Sequence, residues 1–468
     1  MSGHPTASDA FVFFGATGDL AFKKIFPALQ AMALRGNLNA PVIAVTRGDW
    51  NLESVRARAR ASLEKHGGVD PAAFAKLCSL LRCVNGDYQD AALWTALRQE
   101  LNGLERPTYY LAIPPSLFEV VIAQMAASGC SRGARVILEK PFGRDLPSAR
   151  QLNEILHRSL DESAIYRIDH YLGKRPVNNM FVFRFANSFA ESFWNRNYIE
   201  SVQITMAEEF GVQGRGAFYD GVGTIRDVVQ NHLFQVLSVL AMEPPVRADS
   251  ESLRDEKVKV LKAIPSIRDA DVVRGQFRGY LDEKGVAPGS QVETFAALRL
   301  EIPSWRWKGV PFYIRAGKCL PTTCTEVVGR FRKPPTVLPE DTLRQNHLRM
   351  RINPDVTIAL GMNVMAQCGE LTAESDEMVA ISHPCAADPD AYERVLTAAM
   401  EGDASLFARQ DYVEEAWRIV DPVLAQDTPV HPYTPGTWGP DEVARVTPEG
   451  GWENPVVEVE DGASQKAA

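Results

Sequence analysis

The sequence predicts a doubly wound α/β domain over residues 1–172 and, over residues 173–468, an α+β domain built on a large, mainly antiparallel sheet. Two patterns carry that reading. Between residues 10 and 172, short apolar runs alternate with segments of helical period, as in parallel strands joined by helices. Beyond about residue 175, strand-like alternation comes in blocks and the long helical patterns lie apart from it.

The first domain opens with the apolar run Ala10–Phe14, which stops at a glycine turn, and a helical pattern follows through Leu29 and Leu34. Residues 41–45 form the next strand candidate, and residues 51–65 and 71–82 read as helices. Residues 108–113 and 135–138 are further strands, with a helix over 116–128 between them. In the second domain, residues 201–207, 294–301 and 310–315 alternate as strands do, and 347–360 reads as two strands joined at Asn353 and Pro354. Long helical patterns cover about 222–242 and 389–420. The polar, acidic stretch from Gly450 onward reads as a frayed tail.

Composition bounds the function. The 468 residues are 45% hydrophobic and 23% charged, which is globular. A net charge of −9 argues against a nucleic-acid-binding surface, yet it leaves room for a local basic pocket that takes a phosphorylated metabolite. The seven cysteines (Cys78, Cys83, Cys130, Cys319, Cys324, Cys368 and Cys385) form no CxxC, as befits thiols in a reducing compartment. The start of the chain lacks the pattern of a signal peptide, and no run reaches the ~18 apolar residues of a membrane span. A cytoplasmic protein without a membrane partner is the expectation.

The turn Gly15-Ala16-Thr17-Gly18-Asp19-Leu20 joins the first strand to the first helix. Glycines there permit a tight turn and close approach of a diphosphate to backbone N–H groups, and the helix N-terminus favours the anion. The order GxxGDLA departs from GxGxxG, and no Walker A loop is present. Arg47 follows the second strand, where a site for NAD commonly places an acid; a guanidinium there suits the 2′-phosphate of NADP instead. NADP is therefore the expected cofactor, with NAD as the alternative acceptor. Lys23 and Lys24 add positive charge. Lys140, in Glu139-Lys140-Pro141-Phe142-Gly143, ends a strand at the crevice where ligands of such sheets bind.

Two further segments concentrate chemistry. Arg167-Ile168-Asp169-His170-Tyr171-Leu172-Gly173-Lys174 packs cations, a carboxylate, an imidazole and a phenol into eight residues. Such a cluster clamps an anion and orients an acid–base group brought from elsewhere. Arg226-Asp227 and Asn231-His232 lie early in a long helical pattern; five residues separate Asp227 from His232, so an α-helix would not put them on its tightest stripe.

Taken together, GATGDLAFKK, EKPFG, RIDHYLGK and GRGxFYDxxGxIRDVxQNH resemble the glucose-6-phosphate dehydrogenase family in order and spacing. The resemblance implies a Rossmann-like first domain and oxidation of glucose 6-phosphate to 6-phosphoglucono-δ-lactone, the entry step of the oxidative pentose phosphate pathway. It implies His232 as general base, with Asp169 orienting it. An imidazole, with an ordinary pKa of about 6.5, suits that role. It implies His170, Tyr171 and Lys174 as phosphate contacts, Glu208 and Asp227 as partners of sugar hydroxyls, and Lys318 as a further substrate contact. Lys140 bridges sugar and cofactor, and Lys24, Asp87 and Tyr88 join the glycine turn and Arg47 around the cofactor. A cis bond before Pro141, a homodimer or homotetramer, and no metal are implied as well. A dinucleotide-binding regulatory or assembly protein on the same scaffold is the non-enzymatic alternative.

The match has two gaps. Arg175-Pro176 follows RIDHYLGK where the family often has glutamate, and a second basic substrate contact about five residues after Lys318 is replaced by Thr323 and Cys324.

Overall fold

The computed structural model describes residues 7–169, 171–335, 343–366, 373–382, 388–425 and 428–457. The chain divides into two compact units: Met1–Asn178 with Met242–Leu261 and Cys385–Arg418, and Asn179–Ala241 with Lys262–Pro384 and Ile419–Ala468. Two segments from beyond residue 172 thus fold with the first unit, an arrangement that a single cut in the sequence does not provide for.

The first unit is built on β1 (Ala10–Phe14), β2 (Val42–Thr46), β3 (Leu81–Asn85), β4 (Pro107–Leu111), β5 (Arg135–Leu138) and β6 (Ile165–Ile168). They lie in the order β3-β2-β1-β4-β5-β6 and are all parallel, with the short β15 (Phe407–Ala408) added antiparallel at the β6 edge. This is the doubly wound dinucleotide-binding order, and its crevice lies where β1 and β4 diverge. Both faces of β1 are covered, which is why its residues form an unbroken apolar run rather than an alternating one. Phe11 and Phe13 join one core with Phe26, Leu29, Val42 and Leu396, while Phe14 packs on Tyr88 and Trp94. Each such buried side chain contributes about 1.5–3 kcal/mol.

Local signals set the helix starts. Asn51 and Ser54 form a reciprocal capping box before Leu52–Lys65, and Asp70 caps Pro71–Leu80. The latter helix stops short of residue 82, because Leu81 pairs with Val42 and begins β3. The helical pattern over 389–420 is broken by Gly402, a left-handed C-cap with φ 84°, into Ala391–Glu401 and Gln410–Ala425.

The second unit carries a nine-stranded sheet. Its strands are β7 (Ile199–Ala207), β8 (Val272–Phe277), β9 (Phe295–Glu301), β10 (Pro311–Gly317), β11 (Cys324–Phe331), β12 (His347–Asn353), β13 (Thr357–Met365), β14 (Ala373–Ile381) and β16 (Val430–Tyr433). The order is β14-β13-β12-β11-β7-β10-β9-β8-β16, and only the β7–β10 and β8–β16 pairs are parallel. The expected mainly antiparallel sheet is therefore present. Among the described residues no helix is long and apolar enough to cross a membrane.

Candidate active site

Gly15 leaves β1 with φ +75°, and a Cβ there would sit 2.2 Å from the Ala112 carbonyl oxygen at the end of β4. Only glycine fits this closely packed turn. The Gly15 N–H donates to the Tyr88 hydroxyl at 3.2 Å, and the Arg47 guanidinium lies 5.3 Å from the Tyr88 ring centroid. Burial pushes the Tyr88 phenol up, so it is a neutral hydrogen-bonding group. The bare backbone at the turn and the guanidinium at the end of β2 fit a phosphorylated dinucleotide. Lys24 lies 5.7 Å from the Tyr392 ring, and Asp19 pairs with Lys23 at 3.2 Å. Asp87 heads the turn before the next helix, where its carboxylate accepts the Gln89 N–H.

The strand ends of β5 and β6 carry the next group. The Lys140–Pro141 bond is cis. Beside it, Glu139 accepts hydrogen bonds from Tyr110 and Tyr392; burial pushes its carboxyl up, against those bonds and the Lys140 charge. Asp169 is buried just past β6, and its carboxylate accepts the Tyr171 N–H at 3.0 Å. The following turn sets the Lys174 ammonium 3.7 Å from the Tyr171 ring centroid. Arg175 pairs with Asp388, so the extra cation beside this cluster is held by a carboxylate. His170 lies outside the described residues.

In the second unit, strand register assembles the site. Parallel β7 and β10 pair Ala207 with Gly317, so Glu208 and Lys318 leave neighbouring strands at the same end. Lys318 Nζ lies 2.5 Å from Glu208 Oε2 and 5.1 Å from the Tyr219 ring centroid. Burial drives the Tyr219 phenol well up, with further upward contributions from the Asp227 and Glu293 carboxylates; its hydroxyl meets Thr224 at 2.7 Å.

The segment Ile225–Leu233 is a π-helix, followed by the α-helix Phe234–Ala241. In a π-helix residues five apart are hydrogen-bonded neighbours. Asp227 and His232 therefore lie on one side, contrary to the α-helical expectation. Glu293, fully buried before β9, fixes the start of this helix: Ile225 N–H donates to its Oε1 at 3.0 Å, and Arg274 pairs with its Oε2 at 2.9 Å. Sequence reasoning passed over Glu293 and Tyr219. Glu293 left no local signal, whereas Tyr219 stood inside a quoted motif.

At the missing basic position, the Thr323 hydroxyl accepts the Glu209 N–H at 3.1 Å. Cys324 begins β11 and is buried, its thiol pushed up to about 12 by desolvation. Neither supplies a cation.

Comparison with known proteins gives a consistent picture. Residues 12–179 match the family model for the glucose-6-phosphate dehydrogenase NAD binding domain, and residues 181–453 match that for its C-terminal domain. The chain is 41% identical over 460 residues to glucose-6-phosphate 1-dehydrogenase 1 of Mycobacterium tuberculosis, with 97% of this chain and 98% of that protein covered. It is 41% identical over 478 residues to glucose-6-phosphate 1-dehydrogenase of Aggregatibacter actinomycetemcomitans, covering 95% and 97%. The crystal structure of the Mycobacterium avium enzyme, 43% identical, superposes with a TM-score of 0.89 over 96% of this chain and 100% of that one. A glucose-6-phosphate dehydrogenase in complex with its substrate glucose-6-phosphate, 34% identical, also gives 0.89, over 97% and 100%.

Proposed function

The chain belongs to the glucose-6-phosphate dehydrogenase family, and we propose that it oxidises the C1 hydroxyl of glucose 6-phosphate to the δ-lactone. Bound NADP supplies the hydride acceptor. His232 takes the proton of the anomeric hydroxyl as the C1 hydrogen departs with its electron pair, leaving a C1 carbonyl. Asp169 orients His232 and balances the charge that the imidazole gains. Lys174 and Tyr171, with His170, hold the phosphate; Glu208, Asp227 and Lys318 hold the sugar hydroxyls and ring; Lys140 spans sugar and cofactor. Gly15, Ala16, Thr17, Gly18, Asp19 and Leu20 receive the diphosphate, while Lys24, Arg47, Asp87 and Tyr88 contact the rest of the dinucleotide.

The observation that carries the sugar assignment is the Glu208–Lys318 pair at the ends of β7 and β10. It offers an acceptor and a donor side by side, as vicinal hydroxyls require. Thr323 in place of a base leaves the phosphate contacts fewer in charge, so affinity for the sugar phosphate is weaker than with a second cation present.

We further infer a cytoplasmic homodimer or homotetramer that joins through the large sheet. The outermost strand supports this: Met378, Val379 and Ile381 of β14 are exposed. A kinetic matrix of glucose, glucose 6-phosphate and galactose 6-phosphate against NADP and NAD tests the function. Highest kcat/KM for glucose 6-phosphate with NADP supports it; dinucleotide binding without turnover on any sugar would favour the non-enzymatic alternative.

A further inference from the structure

The helical segment Ile225–Leu233 begins without a cap of its own. Thr224 is the N-cap residue, yet its side chain accepts no N–H of the helix. Its hydroxyl turns instead to the Tyr219 hydroxyl at 2.7 Å and to the Glu293 carbonyl oxygen at 3.3 Å. A helix start leaves its first N–H groups without partners inside the helix, and a threonine at that place ordinarily accepts one of them. Here one residue from far along the chain takes two. The Thr224 N–H donates to the Glu293 carbonyl at 3.0 Å, and the Ile225 N–H donates to the Glu293 carboxylate, also at 3.0 Å. Gly223, at φ +73°, lets the chains come this close: a Cβ there would stand 2.6 Å from Glu293 Oε1.

The next residue reaches the other way. Thr294 is fully buried, and its carbonyl accepts the Lys318 N–H at 3.0 Å. Thr294 is itself fixed to β8: its N–H donates to the Gly275 carbonyl at 2.8 Å, and its hydroxyl accepts the Phe277 N–H at 2.9 Å. Arg274, also of β8, holds the Glu293 carboxylate at 2.9 Å and donates to the carbonyls of Gln291 and Thr428.

We propose that Glu293 is a positioning residue for the reaction: its carboxylate and carbonyl fix the start of the helix that carries Asp227 and His232, while Thr294 beside it fixes the strand end that carries Lys318. Two adjacent residues thereby hold the base and a sugar contact at a set separation. This rests on the reading of His232 as base and Lys318 as a substrate contact. A local cap would stabilise the helix wherever it lay, whereas a cap supplied by a distant segment also ties the helix in place. Placement matters, because a shift of about 1 Å in a reacting group lowers turnover by roughly 100-fold.

The test separates the acceptor from the charge. Two double variants, Glu293→Gln with Arg274→Met and Glu293→Leu with Arg274→Met, both remove the buried ion pair, and neither leaves a lone charge inside. Only the glutamine variant keeps an oxygen for the Ile225 N–H. Its kcat should stay within a few-fold of wild type, whereas kcat of the leucine variant should fall by roughly 100-fold, with KM for NADP unchanged in both. Equal kcat in the two variants overturns the proposal, because a merely structural ion pair is lost from both alike. Should the leucine variant fail to fold, Glu293→Asp takes its place. It keeps the charge for Arg274 but is one methylene short of Ile225, and wild-type kcat in it also overturns the proposal.

NMR of ring-labelled histidine, with the His232 signal identified by its loss in His232→Asn, reads placement without turnover. That signal should move in the variant lacking the acceptor and stay in the glutamine variant; an unmoved signal in the former overturns the proposal as well. If His232→Asn retains wild-type turnover, the base assignment fails instead, and the histidine signal separates the two failures.

Discussion

Lys318 Nζ and Glu208 Oε2 lie 2.5 Å apart because the residues follow β10 and β7, parallel neighbours held in register to their last residues. The pair presents a charge-assisted donor and an acceptor at one strand end. Replacing Lys318 by Met should raise KM for glucose 6-phosphate by roughly 10–150-fold, as loss of about 1.5–3 kcal/mol implies. KM for NADP should hardly change. Steady-state kinetics with each substrate varied in turn checks both statements.

Arg47 sits at the end of β2 with its guanidinium over the Tyr88 ring. Arg47→Asp removes the cation meant for the 2′-phosphate and supplies an acceptor for a free ribose hydroxyl. The ratio of kcat/KM for NADP over NAD should fall by at least about 10-fold, the scale of one charge-assisted contact. An unchanged ratio would remove Arg47 from that role.

Gly15→Ala should weaken NADP binding and lower Tm, since its Cβ would press on the Ala112 carbonyl oxygen at 2.2 Å. Gly36→Ala is the matched control: its φ is +79°, yet no atom lies within 4 Å of the added carbon. The control should cost only the backbone penalty, about 1–2 kcal/mol. Thermal melts with and without NADP separate packing from binding.

On the second sheet, Glu377 accepts from Arg349 and lies 2.7 Å from His347 Nε2. The Arg349 hydrogen bond, foremost, holds its carboxyl down to about 2. A depressed carboxyl stabilises the fold above its unfolded pKa of about 4.3. That stability is lost as pH falls from there through about 2. Glu377→Gln should therefore lower Tm at pH 7 and flatten the dependence of Tm on pH between about 4.5 and 2, so that the difference from wild type closes as pH falls.

The first sheet was legible because covered parallel strands leave unbroken apolar runs such as that of β1. β3 was not: its burial alternates irregularly, and residues Leu81 and Arg82 extend the helical pattern before them. The glycine turn, Arg47, Lys140, Asp169 and His232 were legible as motifs with chemical meaning. The relation of Asp227 to His232 was not, because it follows from π-helical hydrogen bonding that no side-chain period announces. Glu293 stayed hidden for a similar reason. Its part is to hold a helix start 68 residues earlier, through a contact that only the folded chain creates.

The central claim is proton removal by His232, and turnover of glucose 6-phosphate with NADP by His232→Asn measures it most directly. Loss of a general base predicts a fall in kcat of about 10²–10⁴-fold. Fluorescence titration should show that the variant still binds the sugar phosphate within a few-fold of wild type. Wild-type kcat in a variant that lacks the imidazole would contradict the account.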